Sequence, residues 1–378
     1  MADMALPTCE QDVADAVADA LRDGVRLAIA GGGSKAAIGA PAEARPLPMS
    51  GLRGVVDYDP AELVLTVRPG TPLREIEALV AGEGQRLAFD PFDHGPVFGQ
   101  PAGAATIGGV AAAGVSGSQR VSAGAVRDHL LGFRAVSGRG EAFAAGGKVV
   151  KNVTGFDLPK LAAGSWGRLF ALTELTLKVL PRPRESRTLM LAGLSDEQAV
   201  HAMSRAMGSQ ADVAAAAHLP GRATILRVQG FGPSVAARRA MLDAVLADFG
   251  RPVALPSDDA DAMWAALRTL SPLGGERPLW RISIAPSRAC AAIAPFRDEA
   301  ACLFDWAGGL IWAATQAEPG ALRAAVSAAG GHAMLVRADA PMRAAVPTFH
   351  PASSGMAALE TRVRRAFDPM GLFETGRF

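Results

Sequence analysis

Apolar positions recur along this chain in two periods. Val13, Val17 and Leu21 fall at i, i+4 and i+8, which predicts an amphipathic helix over residues 10–22. "VRLAIA" (25–30) is a short continuous apolar run, the pattern of a buried strand, and it runs straight into Gly31-Gly32-Gly33. "GVVDYD" and "LVLTVRPG" predict two further strands. Thr71 is then expected to cap a helix with Pro72 at its first position, "PLREIEALVAGEG". "VRDHLLGFRAVSGRGEAF" reads as two strands about a turn at Ser137–Gly140, and "ALTELTLKVLPRPRE" (171–185) as a strand ending in prolines. The composition changes there. Beyond it, helical and strand patterns alternate: "SDEQAVHAMSRAMGS", "ATILRVQG", "SVAARRAMLDAVLADFG", "PLWRISIAP", "GGLIWAAT" and "GALRAAVSAAGGHAMLVRA". This grammar predicts an α+β layer on an antiparallel sheet. The tail "LETRVRRAFDPMGLFETGRF" reads as a helix followed by a turn and aromatic residues.

The triple glycine poses the chemical question. Consecutive N–H groups in such a loop can form an anion-binding hollow. A P-loop requires Gly-Lys-Ser/Thr, whereas here Lys35 follows Ser34 and Ala36 follows Lys35. Gly31, Gly33 and Ala36 do fit the spacing of a dinucleotide-binding turn, but that turn must open a substantial helix. Pro41, Pro46 and Pro48 break the segment that follows, so irregular chain is expected there. A plain turn between strands stays open as the alternative.

Of 378 residues, 49% are apolar, enough for more than one core, and the net charge is +1. No basic cluster interleaved with aromatics suggests nucleic acid. The acidic, amphipathic start does not read as a secretory leader, and no run approaches the ~20 apolar residues of a membrane span. Cys9, Cys290 and Cys302 lie far apart, with no zinc or iron–sulfur spacing. These features fit a reducing, cytoplasmic setting.

A second glycine-rich stretch, "GQPAGAATIGGVAAAGVSGSQRVSAGAVRDHLLG", begins about seventy residues after the first. Two such segments suit a large ligand enclosed by main chain from several sides. The arrangement resembles the FAD-binding domain of the vanillyl-alcohol oxidase (PCMH-type) superfamily. "GGKVVKNVTGFDLPKLAAGSWGRLFALTELTLKVLPRPR" narrows the resemblance to the family of smaller FAD-binding subunits of bacterial glycolate oxidase. "PLWRIS", "GGHA" and "FDPMGLF" fit the same family.

The resemblance implies an α+β protein: a two-lobed PCMH-type domain over 1–182, an α+β cap with an antiparallel sheet over 183–345, and a segment over 346–378 returning to the first domain. It implies that Gly31, Gly32, Gly33, Ser34 and Lys35 form the diphosphate loop, closed by Gly39. Thr106, Gly108, Gly109, Gly114 and Gly117 match the segment along the ribityl chain and ring. Gly124, Val126, Arg127 and Asp128 match the turn beside the flavin, and Thr173 a later strand. Lys151 and Asn152 are candidates near the ring, with a surface ion pair as the alternative for Lys151. Some superfamily members bond the flavin through a loop histidine. Ser34 and Lys35 stand there, so non-covalent FAD is implied. Ala30 replaces a frequent arginine, Ile107 a tryptophan, and Phe373-Glu374-Thr375-Gly376-Arg377 departs from the usual Phe-Asn-Pro-Gly-Arg tail.

Oxidising a 2-hydroxy acid needs a carboxylate clamp, a proton acceptor and a hydride acceptor. His94, His129, His201, His218, His332 and His350 are isolated, and structural roles are expected for them. His94 and His332, each beside glycine, stand out. No catalytic or metal-ligating set is assigned. The implied function is an FAD-carrying subunit that works with a larger metal-motif flavoprotein subunit and an iron–sulfur subunit on glycolate or a similar acid. The complex could place it at the inner membrane. A self-sufficient 2-hydroxy-acid dehydrogenase and a non-catalytic scaffold are the alternatives.

Overall fold

The computed structural model describes residues 6–148 and 155–378. Two antiparallel sheets carry most of the chain. The first has five strands in the order Val55–Asp59, Val64–Val67, Phe170–Lys178, Leu130–Ser137, Ala142–Gly146. The second has eight, in the order Val253–Ala254, Glu185–Leu191, Ala223–Gly230, Ala215–Leu219, Ala301–Asp305, Leu310–Ala314, Leu279–Ser283, His332–Arg337. Every pairing in both sheets is antiparallel, as the alternating pattern beyond residue 185 predicts. The protein is α+β.

The N-terminal helix runs Glu10–Asp23 and ends on Gly24 in the left-handed conformation (φ 66°). Its apolar stripe of Val13, Val17 and Ala20 packs against Leu27, Leu47, Met49, Leu372 and Phe373. Each such buried branched side chain contributes ~1.5–3 kcal/mol. Residues 372 and 373 thus return from the far end of the chain to the first unit. A turn holds them there: the Asp368 carboxylate accepts from the N–H groups of Leu372 (2.9 Å) and Phe373 (2.8 Å) just beyond helix Ser354–Phe367.

Two local expectations fail. Thr71 does not cap the next helix, which runs Leu73–Gly82 with Pro72 at its N-cap. Its hydroxyl is instead hydrogen-bonded to the main chain of Arg68 and Gly54, tying the preceding turn. The proline-rich stretch after the glycine loop is not wholly irregular. Arg45–Pro48 forms a strand parallel to Leu27–Ala30. Prolines are tolerated because this two-stranded sheet leaves their nitrogens on an open edge.

The eight-stranded sheet has two different faces. Trp280, Ile282, Ile311, Ala313 and Leu335 lie under helices Asp196–Met207, Gly232–Val245 and Pro319–Ala328. The opposite face, with Leu279, Leu310, Trp312 and Val336, meets Ile38 and Val97 of the first unit. The junction between the units is therefore a shared apolar core, and Phe92, Phe98, Trp166 and Phe378 pack against it.

Candidate functional site

A cleft opens where strand Leu27–Ala30 ends. Gly31 to Lys35 line one wall, and Thr106, Gly108, Gly109, Ala112 and Ala113 the other. The two glycine-rich segments are in contact. A Cβ on Gly32 would stand 1.7 Å from the Ala104 carbonyl oxygen, and one on Gly31 2.4 Å from Thr106 Oγ1. Glycine is required at these positions because the second segment packs directly on the first. Gly109 differs, since a Cβ there would project into the cleft, 3.9 Å from Lys35 Nζ.

The loop carries donors without partners. Among the described residues, the N–H groups of Gly32, Gly33, Ser34 and Lys35 find no acceptor within the chain. Burial pulls the Lys35 ammonium down to about 8, against the opposing pull of Asp93. A partly buried ammonium and four amides without a partner in the chain suit a negatively charged ligand.

Arg377 holds the loop in shape. Its guanidinium donates to the carbonyls of Ile38 (2.7 Å), Lys35 (2.7 Å) and Ala36 (2.9 Å). The Ala40 N–H closes on the Arg377 carbonyl at 2.9 Å. Gly39 leaves room for this, because a Cβ there would lie 2.7 Å from Arg377 Cγ. Phe378 lines the cleft and packs on Trp166, with ring centroids 5.1 Å apart. The altered tail therefore still reaches the cleft.

The remaining sequence candidates lie elsewhere. Gly114, Gly117, Gly124, Val126, Arg127 and Asp128 continue away from the lining along the second segment. The Asp128 carboxylate accepts from the Ala125 N–H at 2.8 Å, and Arg127 lies 3.9 Å from it. Gly117 packs on Asp90, whose carbonyl oxygen would be 2.3 Å from a Cβ. Thr173 turns away and donates to Glu10 at 2.6 Å. Lys151 and Asn152 lie outside the described residues. Sequence reasoning missed Trp166, Phe170, Leu172, Arg377 and Phe378 as lining residues. Trp166, Phe170 and Leu172 sit inside the quoted "GSWGRLFALTELT" stretch, and Arg377 inside the tail compared with the family's pattern.

Most histidines are structural. His129 is bonded to the carbonyls of Ala123 (2.8 Å) and Lys178 (3.3 Å), and His218 to Thr224 (2.9 Å) and Asp196 (3.2 Å). His94 is the exception. It is 6% exposed, and its Nδ1 has no hydrogen-bond partner among the described residues.

Residues 2–146 match the family described as FAD binding domain. Over 373 residues the chain is 34% identical to the glycolate oxidase subunit GlcE of Escherichia coli (strain K12), covering 97% of this chain and 96% of that one. The chain belongs to the GlcE family of glycolate oxidase subunits. The fold agrees with p-cresol methylhydroxylase (TM-score 0.71, 13% identity, 98% of this chain and 87% of that one). It also agrees with alkyldihydroxyacetonephosphate synthase (TM-score 0.69, 16% identity, 97% and 75%). This GlcE-family chain therefore has the PCMH-type α+β fold and an FAD binding domain, as the glycine segments implied. The cleft's unpartnered amides and its partly buried lysine fit that cofactor. Among the described residues no helix is long and apolar enough to cross a membrane.

Proposed function

We propose that this chain is the FAD-carrying subunit of a complex that oxidises glycolate to glyoxylate. The observation that carries the reading is a cleft lined by both glycine-rich segments in a chain related to GlcE along nearly its whole length. Gly31, Gly32, Gly33, Ser34 and Lys35 would receive the diphosphate, with Thr106, Gly108 and Gly109 closing over it. Gly39 and Arg377 would fix the loop. The second segment through Gly114, Gly117, Gly124, Val126, Arg127 and Asp128 would carry the ribityl chain toward the ring at the junction of the two units. Lys151, Asn152 and Thr173 remain candidates on the same basis. FAD, when bound, supplies the hydride acceptor. The protein's part is to bind and orient it and to keep water out, for which the apolar junction is suited.

The same proposal divides the chain at 182/183 and 345/346. It names as partners a larger metal-motif flavoprotein subunit and an iron–sulfur subunit, with a cytoplasmic location or a peripheral one through the complex. The attachment is non-covalent, since Ser34 and Lys35 occupy the loop tip. An open cleft with unmet donors weighs against a scaffold without cofactor. The purified chain tests the reading. It should be yellow, release FAD on acid precipitation, and reduce a dye with glycolate only after the partner subunits are added. A colourless chain that takes up no added FAD overturns it.

A further inference from the structure

Residues 35–39 follow the glycine loop without joining a helix or strand, so their carbonyls must find donors outside regular structure. Two arginines supply them. Arg377 donates to Lys35, Ala36 and Ile38. Arg343 takes the other two: its Nη1 donates to the carbonyls of Ala37 at 3.1 Å and Gly39 at 3.2 Å. Five consecutive carbonyls are thus bonded to two guanidiniums, one from the tail and one from the unit of the eight-stranded sheet. Between them the Ala36 N–H returns to the Gly33 carbonyl (2.8 Å) and the Ile38 N–H to that of Lys35 (3.0 Å). The turn is closed on itself, while the N–H groups of Gly32 to Lys35 stay without acceptors among the described residues.

Arg343 is anchored at its other end. Helix Ala340–Ala345 begins at Asp339, whose carboxylate accepts from the Met342 N–H at 2.9 Å. Met342 and Val346 pack on the core between the eight-stranded sheet and its helices. Ile38, 1% exposed, lies in the shared core with Leu279, Leu310, Trp312 and Val336. That unit therefore holds the loop both by backbone and by side chain. Arg337, six residues before Arg343, makes a separate contact with the first unit, donating to the Val97 carbonyl at 2.8 Å. It makes no bond to the loop among the described residues. Burial first, and the charge of Arg343 second, hold the Arg377 guanidinium below its ordinary value. Like charges on neighbouring carbonyls repel, and an anion taken up by the loop offsets that repulsion.

We propose that Arg343 is a positioning residue for the cofactor loop, and that through it the loop and the eight-stranded unit order one another. Helix Ala340–Ala345, in place, sets the loop for the cofactor, and cofactor in the cleft fastens that helix. The proposal rests on the proposed FAD function for what the cleft binds. Arg343 does not line the cleft, so its effect passes through the carbonyls of Ala37 and Gly39. The coupling is reciprocal. Whatever factor the docked helix contributes to cofactor affinity, bound cofactor returns to the docking of the helix.

FAD titration of the cofactor-free chain, read by flavin fluorescence, is paired with amide hydrogen exchange. Arg343→Met keeps an aliphatic stem and removes both bonds, so FAD affinity should fall at least ~10-fold. Arg343→Lys keeps the charge and should recover part of it; should Arg343→Met not fold, this milder variant carries the same comparison. Arg337→Met loosens docking alone and should bind FAD nearly as the native chain does. Without FAD, Arg343→Met should already exchange faster at Ala36, Ile38 and Ala40. With FAD, exchange over residues 342–346 should slow in the native chain and not in Arg343→Met. Unchanged FAD affinity in Arg343→Met overturns the proposal, as does an equal loss in Arg337→Met. Slowing over 342–346 that survives in Arg343→Met overturns it too. A native chain that takes up no FAD overturns the functional reading and this coupling together. Unaltered loop exchange in cofactor-free Arg343→Met, with FAD binding by the native chain intact, overturns this proposal alone.

Discussion

Gly109→Val separates cofactor space from folding. Gly109 lies inside the helix Ile107–Ala112, where glycine is the poorest ordinary helix former and valine costs a few tenths of a kcal/mol less. The added Cβ would meet Thr106 Oγ1 at 3.3 Å, a contact that gives by a few tenths of an ångström. The fold should therefore survive, with the thermal midpoint within ~3 °C of the native chain. The two γ-methyl groups extend a further ~1.5 Å into the cleft, toward Lys35. Bringing an anionic group back by that distance forfeits at least one charge-assisted hydrogen bond, about 1.5–3 kcal/mol. That corresponds to an FAD affinity lower by about 10- to 150-fold. Flavin fluorescence quenching on titrating apoprotein measures it, with circular dichroism as the control for folding. A folded variant that binds FAD as tightly as the native chain refutes the placement of the second segment.

Three further outcomes follow from the same geometry. Arg377→Ala leaves the carbonyls of Lys35, Ala36 and Ile38 without their donor, so stability should fall by about 2–4 kcal/mol, with faster amide exchange over residues 31–39; unchanged exchange refutes the clamp. Lys35 near pH 8 predicts that FAD affinity is flat below that pH and falls as pH rises through it, because the neutral amine no longer attracts the diphosphate; Lys35→Met should bind more weakly and lose that dependence. Burial raises Asp305 from 3.8 to about 6, so the folded state holds its proton more tightly than the unfolded chain does. Its ionisation therefore erodes stability as pH rises from about 4 to about 6, by about 3 kcal/mol, and that loss persists above. In Asp305→Asn, whose amide can serve Ser118 and the Trp306 N–H, denaturant midpoints should lose this part of the slope; an unaltered slope sinks the assignment.

The periodicity of the chain revealed its helices and strands better than its site. Val13, Val17 and Leu21 announced the first helix because one face of it is buried. The parallel strand Arg45–Pro48 stayed hidden because two prolines occupy it, and prolines fit only an open edge. Ala215–Leu219 was hidden by alanines, which carry no strand preference; a central place in the sheet decides their conformation. The glycine loops were legible because close backbone approach leaves a compositional mark. The role of Arg377 was not, although the tail pattern pointed to the segment, since its bonds go to carbonyls more than 330 positions away. Arg281 and Arg120 meet over Trp306 only through sheet register and the packing of two units, which no window of sequence contains.

The dependence of the glycine loop on Arg377 has a consequence for biogenesis. The ribosome delivers residues 31–39 early, but their clamp emerges some three hundred residues later. If this loop holds the flavin, its capture waits for that arginine, and chains ending before it would take up cofactor poorly however well their first unit folds.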